Sequence, residues 1–346
     1  GCISMKRKRW VRRAIICLLL IGLGVGSLIG IKLLFFYREV KAIDIENITL
    51  FVPTTIYDKN DKLITTIGLE QREPVSYEDI SPHMIHAIIS IEDQRFFEHR
   101  GIDARRIVAA LIENVTTKSY KEGASTITQQ LVKLHFLSNE KTLERKVKEA
   151  LLSIRLEREY SKEKILELYL NKVLFGGRIY GVQNASRQYF GKTAKELTYE
   201  EAALLAGIVQ SPNRYNPYRN PDETKSRQIE VLKQMYENGY ITEEEYEQAK
   251  KRPLEDIILP LEEKVEDHLY HEYVDYVIQE IIQTYQLDPF QGGLAVYTYL
   301  DPVLQDHIMA LEKNDALYKD DQVQTGIVLI ENATGAIVGI GGGRHY

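Results

Sequence analysis

Beyond residue 17 the chain has no cysteine: the only two in 346 residues are Cys2 and Cys17. That excludes a disulfide framework for everything downstream. Acid is absent from the first thirteen residues, which hold six basic ones, Lys6, Arg7, Lys8, Arg9, Arg12 and Arg13. The net charge of −6 therefore hides an asymmetry, because the remainder is about twice as acidic as the whole. An acidic body excludes the wrapping of nucleic acid, whose phosphates ask for a basic face. Charge is absent again from residues 14 to 31, the first part of "AIICLLLIGLGVGSLIGIKLLFF" (14–36). With Lys32 able to snorkel, this run predicts a membrane-spanning anchor. No small-residue cleavage site follows it, which argues against a removable leader. The basic side of the anchor predicts a cytoplasmic tail, with everything from about residue 40 on the outer side.

Three catalytic signatures are incomplete. Ser161 opens "SKEK", the Ser-x-x-Lys of penicillin-reactive enzymes, but no SxN or KTG follows it. "GIGGGR" lacks the Lys-Ser/Thr of a phosphate loop, and "HLYHE" lacks the second histidine of a zinc motif.

What is present is mostly helical. Residues 50–70 read as a hairpin turning at Lys59 to Lys62. From residue 78 to about 250 the apolar spacing is that of helices. "TLERKVKEALLSIRLEREY" sets Leu143, Val147, Ala150, Leu151, Ile154 and Leu156 mostly on one face. Ser161 is a fitting N-cap for the next helix, and Thr198 with Glu201 makes a capping box. Residues 253–290 read as a connecting segment with one helix. The last stretch holds strand-like runs that turn at Asn332 to Gly335.

Five clusters carry chemistry. In "IEDQRFFEHRGID" (91–103), Glu92 and Asp93 arrive at the end of an apolar helix, before Phe96, Phe97, His99 and Gly101. A carboxylate held against aromatics loses solvation and becomes apt for proton transfer, although a capped helix end reads the same way. "GASTITQQ" (123–130) offers Ser125, Thr126, Gln129 and Gln130, groups that suit either a helix cap or a ligand. "RKVKE" places Arg145 and Glu149 at i,i+4 with Lys146 beside them, the spacing of an ordinary intrahelical ion pair. "KILELYLN" lines up Lys164, Glu167 and Asn171, and "RQIEVL" begins at Arg227.

In that order these clusters resemble the five motifs of the family 51 peptidoglycan glycosyltransferases, found in class A penicillin-binding proteins and monofunctional relatives. The likeness runs from about residue 50 to 250. Leu134 departs from it, since asparagine usually follows "QQLVK" there. The resemblance implies a mainly α, lysozyme-like glycosyltransferase domain behind a single transmembrane helix, with a short β-rich C-terminal segment. The expected segments are a tail (1–13), anchor (14–36), hairpin stem (37–70), glycosyltransferase domain (71–250), linker (251–292) and opening strands of a transpeptidase domain (293–346). Without a nucleophile set, transpeptidase activity is not expected of this chain.

The implied reaction joins a growing glycan on undecaprenyl pyrophosphate to lipid II at the outer face of a bacterial cell membrane, within a cell-wall synthesis complex. Glu92 matches the family's catalytic base and Glu149 its second essential carboxylate, with a divalent cation, Mg²⁺ or Mn²⁺, as a partner for Glu149. Lys133, Arg145 and Lys146 are the implied pyrophosphate ligands. Asp93, Phe96, His99, Gly101, Ser125, Thr126, Gln129, Gln130, Lys164, Glu167, Asn171 and Arg227 complete the substrate site. "ARRIVAALIENV" (104–115) is amphipathic enough to dip into the membrane interface. The competing readings are a lysozyme-like hydrolase or lytic transglycosylase, and a non-catalytic scaffold. Basic motif residues argue against the first, and the intact motif carboxylates against the second.

Overall fold

The computed structural model describes residues 2–49, 51–68, 73–117, 125–136, 142–260, 269–320 and 322–344. Mainly helical architecture is borne out, with twelve α-helices and five strands among the described residues. In chain order they are α1 (Cys2–Ala42), β1 (Thr54–Tyr57), β2 (Leu63–Ile67), α2 (Pro82–Glu92), α3 (Ala104–Thr117), α4 (Ile127–Phe136), α5 (Leu143–Glu159) and α6 (Lys162–Lys172). Then follow α7 (Val182–Phe190), α8 (Tyr199–Val209), α9 (Pro221–Glu237), α10 (Glu243–Lys251), α11 (His271–Gln283), β3 (Ala295–Tyr297), α12 (Pro302–Lys313), β4 (Ile327–Ile330) and β5 (Ile337–Gly341).

Two compact units emerge, one from residues 1–48 and 95–169, the other from 49–94 and 170–346. They alternate along the chain, whereas the segments read from the sequence are contiguous.

In the first unit, α1 runs beyond the expected anchor on both sides, and among the described residues its stretch long and apolar enough to cross a membrane is Leu19–Ala42, with mean hydropathy 2.2. α4 and the end of α1 both pack against α5. The face that α5 buries is Glu149, Leu152, Ser153 and Leu156; of the expected apolar line only Leu156 is fully buried, and Leu143 is 83% exposed. The reason is that a hydropathy pattern gives no credit to a glutamate, while this one is neutralised by cations inside the unit. α3 is amphipathic as expected, and it leaves Val108 and Ile112 exposed.

In the second unit, α2, α8 and α9 pack as a trio, and α10 folds back on α9. Their buried residues include Met84, Ile88, Leu204, Leu205, Val231 and Leu232. Thr198 and Glu201 form the expected capping box at the head of α8. The expected hairpin is β1–β2, antiparallel, with Asp58 Oδ1 accepting from the Asn60 and Lys62 N–H groups at 2.8 and 3.0 Å in its turn. β3 joins β1 in parallel, Thr55 opposite Ala295, which makes a three-stranded sheet in the order β2-β1-β3. β4 and β5 form the second expected hairpin, but a helix not foreseen, α12, stands between β3 and β4.

Candidate active site

In the first unit the cationic site is built on the opening turns of α5. Thr142 caps that helix by accepting the Arg145 N–H at 3.1 Å. Residues 145, 146 and 149 then share a face, because three- and four-residue steps bring side chains together on a helix. Glu149 is buried, at 2% exposure. Its Oε2 accepts from Arg145 Nη1 at 3.0 Å, and its Oε1 from Lys146 Nζ at 2.5 Å and Gln129 Nε2 at 3.2 Å. Lys146 also reaches Ser125 Oγ at 2.7 Å. Two cations on one acid leave the cluster net positive. The Lys146 side chain is 45% exposed, and Arg145 Nε is buried without a hydrogen-bond partner among the described residues. Free donor capacity and net positive charge make this a place for an anion.

The "GASTITQQ" cluster proves to be both a cap and a ligand to Glu149, with Gly123 outside the described residues. Thr126 Oγ1 accepts the Gln129 N–H at 3.1 Å while Gln129 Oε1 accepts the Thr126 N–H at 3.0 Å, a reciprocal cap at the head of α4. That leaves the Gln129 amide nitrogen for Glu149. Thr126 Oγ1 donates in turn to the Gly101 carbonyl at 2.7 Å. Gly101 has φ +90°, and a Cβ there would stand 2.6 Å from the Ser153 carbonyl of α5. Only glycine permits that approach.

Behind this layer lies a buried network that sequence reasoning missed. Glu157 Oε1 accepts from Thr128 Oγ1 at 2.6 Å and lies 3.7 Å from His99 Nδ1, while Glu157 Oε2 pairs with Lys162 Nζ at 2.7 Å. Lys162 Nζ also stands 4.3 Å from the Phe96 ring centre, and the Phe96 and His99 rings meet edge to face. His99 and Phe96 thus brace the turn after residue 95 against α4, α5 and α6. Arg95 binds Asp103 at 2.9 Å, and Asp103 caps α3 through the Arg105 and Arg106 N–H groups. Gln130 accepts from the Tyr169 hydroxyl at 2.8 Å, Lys164 pairs with Glu167, and Lys133 is exposed on α4. Among the described residues, Glu149 takes its bonds from none of Gln130, Lys164, Glu167 and Lys133.

The second unit carries Glu92, half-buried as the last residue of α2, with Asp93 buried as the C-cap. Gln94 follows and donates to Gln234 Oε1 on α9 at 2.6 Å, which fixes the exit of α2. Asn171 serves the backbone: its Oδ1 accepts the Val75 N–H at 3.0 Å and its Nδ2 donates to the Val75 carbonyl at 2.8 Å. Arg227 is buried on α9, pairs with Glu230 at 2.7 Å and packs beside the Tyr215 ring. Asn171 and Arg227 therefore make local structural contacts in this unit.

A divalent cation does not fit the Glu149 cluster. Magnesium and its like seek oxygen ligands, yet both Glu149 oxygens already accept from nitrogen donors, two of them cationic. No group of three His, Cys, Asp or Glu suited to a metal occurs among the described residues.

The chain is similar to known proteins over most of its length. The family model described as "Transglycosylase" matches residues 60–236. A second, "Short C-terminal domain", matches residues 227–252, the α9–α10 pair. Penicillin-binding protein 1A/1B of Bacillus subtilis (strain 168) is 43% identical over 84% of this chain and 32% of its own length. Penicillin-binding protein 1A of Streptococcus oralis is 35% identical over 95% of this chain and 53% of its own length. Penicillin-binding protein 1F of B. subtilis is 37% identical over 99% and 48%. The chain thus spans about a third to a half of the curated relatives it matches.

Proposed function

The chain belongs to the transglycosylase family, the peptidoglycan glycosyltransferases of family 51, as the N-terminal part of a class A penicillin-binding protein, and on that premise we propose that it polymerises lipid II into β-1,4 glycan strands. Glu92 is the general base. It takes the proton from the acceptor's GlcNAc 4-hydroxyl as that oxygen bonds to the anomeric carbon of the donor glycan. The bond from that carbon to the undecaprenyl pyrophosphate breaks with inversion, and the electron pair leaves on the pyrophosphate oxygen. The observation that carries the reading is the net-positive cluster of Arg145, Lys146 and Glu149. Charge that develops on a leaving pyrophosphate needs pre-placed cations, and oriented ones cost no reorganisation during the reaction. Glu149 holds the two cations in place, and Ser125 and Gln129 fix the near side of the cluster.

The membrane follows from the substrate. A polyprenyl-linked donor requires an enzyme held at the bilayer, which the apolar span of α1 provides. By the basic tail, the N-terminus faces the cytoplasm and the chain from about residue 40 onward lies on the outer side. A cell-wall synthesis complex is the setting.

The test is Glu92→Gln, which keeps the shape and removes the base. Lipid II polymerisation in vesicles should fall at least about a hundredfold, with lipid II binding and the melting profile retained. A near-normal polymerisation rate would return Glu92 to a helix-end role.

A further inference from the structure

The last carbonyls of a helix have no partner within it, and they carry the negative end of the helix dipole. At the end of α1 those carbonyls are claimed by one side chain of α5. Arg155 Nη1 donates to the carbonyls of Val40, Lys41 and Ile43 at 2.7, 3.2 and 2.8 Å. Its Nε lies 3.1 Å from Glu159 Oε1, which holds the guanidinium in line. Two turns earlier on α5, Lys148 Nζ pairs with Glu39 Oε2 at 2.7 Å and stands 5.3 Å from the Phe36 ring centre. Phe36 and Val40 of α1, and Ile45 and Ile48 just after it, are all buried. These contacts sit at the C-terminal end of the stretch Leu19–Ala42, which is long and apolar enough to cross a membrane.

Residues 148 and 155 are seven apart and share one face of α5, while 145, 146 and 149 occupy another. At 100° per residue the two faces are roughly 110° apart around the axis, and Glu149 lies about 9 Å along the axis from Arg155. One rigid helix therefore holds the end of the anchor on one side and the cation cluster on another.

We propose that Arg155 and Lys148 are positioning residues, which fix α5 to the end of the membrane anchor and so set the height of the Arg145–Lys146–Glu149 cluster over the bilayer. The proposal rests on the reading of that cluster as the pyrophosphate site. A pyrophosphate on a membrane-embedded lipid has a fixed depth, so the cations must meet it there. A slip of one helical turn between α1 and α5 would displace the cluster by about 5.4 Å, and misplacement by about 1 Å can already cost a hundredfold in rate. An arginine that bridges three carbonyls of one helix end and an acid on its own helix resists such a slip in a way that apolar packing alone does not.

The test compares the full chain with the Arg155→Ala/Lys148→Ala variant on two substrates. One is lipid II in vesicles, the other a short-chain, water-soluble lipid II analogue in solution. On vesicles kcat/KM should fall about tenfold or more, chiefly through KM, while on the soluble analogue it should stay within about twofold. Arg155→Lys, which keeps the charge but not the three-carbonyl reach, should fall between. Equal loss on both substrates would assign the two residues to folding and overturn the proposal, as would no loss on either. A second arm needs no activity. With the only tryptophan, Trp10, replaced by Phe and the exposed Leu143 replaced by Trp, quenching by lipids brominated at known depths reports the height of α5. Depth should change when Arg155 and Lys148 are removed, and an unchanged depth overturns the proposal. Should the unaltered chain polymerise neither substrate, the proposed function fails, and the depth arm still decides the anchor geometry.

Discussion

Glu149 in the first unit and Glu272 in the second are both buried helix glutamates, and their company is opposite. Glu149 has a guanidinium, an ammonium and an amide on its oxygens. Glu272 lies against another buried acid, Glu312, whose Oε1 accepts the Gly343 N–H at 3.0 Å. Burial and then the Glu312 charge push Glu272 up to about 7. Burial by itself thus says little about what an acid does. In the proposed function the acid surrounded by cations organises an anion site, whereas the acid beside a second acid makes a proton-dependent joint between α11, α12 and the residues just after β5.

The contrast is broken most severely at Glu149. Replacing Glu149 with Gln leaves Arg145 and Lys146 without their common counter-charge, and lipid II turnover should drop by about a hundredfold or more. Stability should change far less, because Lys146 is half in solvent. Retained turnover would reduce the cluster to the ordinary helix ion pair that its spacing also allows.

The cluster further depends on how closely α5 approaches Gly101. Gly101→Ala puts a Cβ at a positive φ and 2.6 Å from the Ser153 carbonyl. Left-handed geometry alone costs about 1–2 kcal/mol for an L-residue, so urea unfolding should show a loss of at least about 2 kcal/mol once the overlap is added. Full stability in that variant would mean that α5 moves freely, and with it the cation site.

The smallest effect belongs to Glu272. Its folded-state pKa is raised, so the native state binds the proton more tightly than the unfolded chain. The sign follows: that contribution is complete at acid pH and is lost as pH rises through about 7. Hydrogen-exchange protection of β5, Ile337–Gly341, should therefore weaken between about pH 5.5 and 8, and Glu272→Gln should abolish the change. Protection that rises with pH would reverse the assignment.

Local chemistry made much of this legible in the sequence. The Thr198–Glu201 box, the Ser161 cap, the turn after Asp58 and the hairpin through Asn332 are each set by residues a few positions apart. The Arg145–Lys146–Glu149 grouping was readable for the same reason, since helix spacing alone brings the three together. α12 was missed although Asp301 and Pro302 announce it, Asp301 Oδ1 accepting from the Val303 and Leu304 N–H groups. The Glu157 network and the buried face of α5 were not legible. They depend on which helices press on α5, and burial of a glutamate there runs against hydropathy. The Arg155 ties to the end of α1 span more than a hundred residues of sequence, and no local pattern encodes them.

β1 lies in parallel with β3 across a sequence separation of 240 residues, Thr55 opposite Ala295. Loop closure over that distance costs about 5 kcal/mol of chain entropy by the logarithmic rule, before any constant. At a synthesis rate of about 5–20 residues per second, β1 waits roughly 12 to 48 s for its partner to be made. Through that interval the β1–β2 hairpin presents an open edge, the kind of surface that pairs with whatever strand arrives first. Completion of this sheet is therefore a late event in the life of the nascent chain. Slowed translation between the two strands would lengthen the exposure of that edge without altering a single contact in the finished fold.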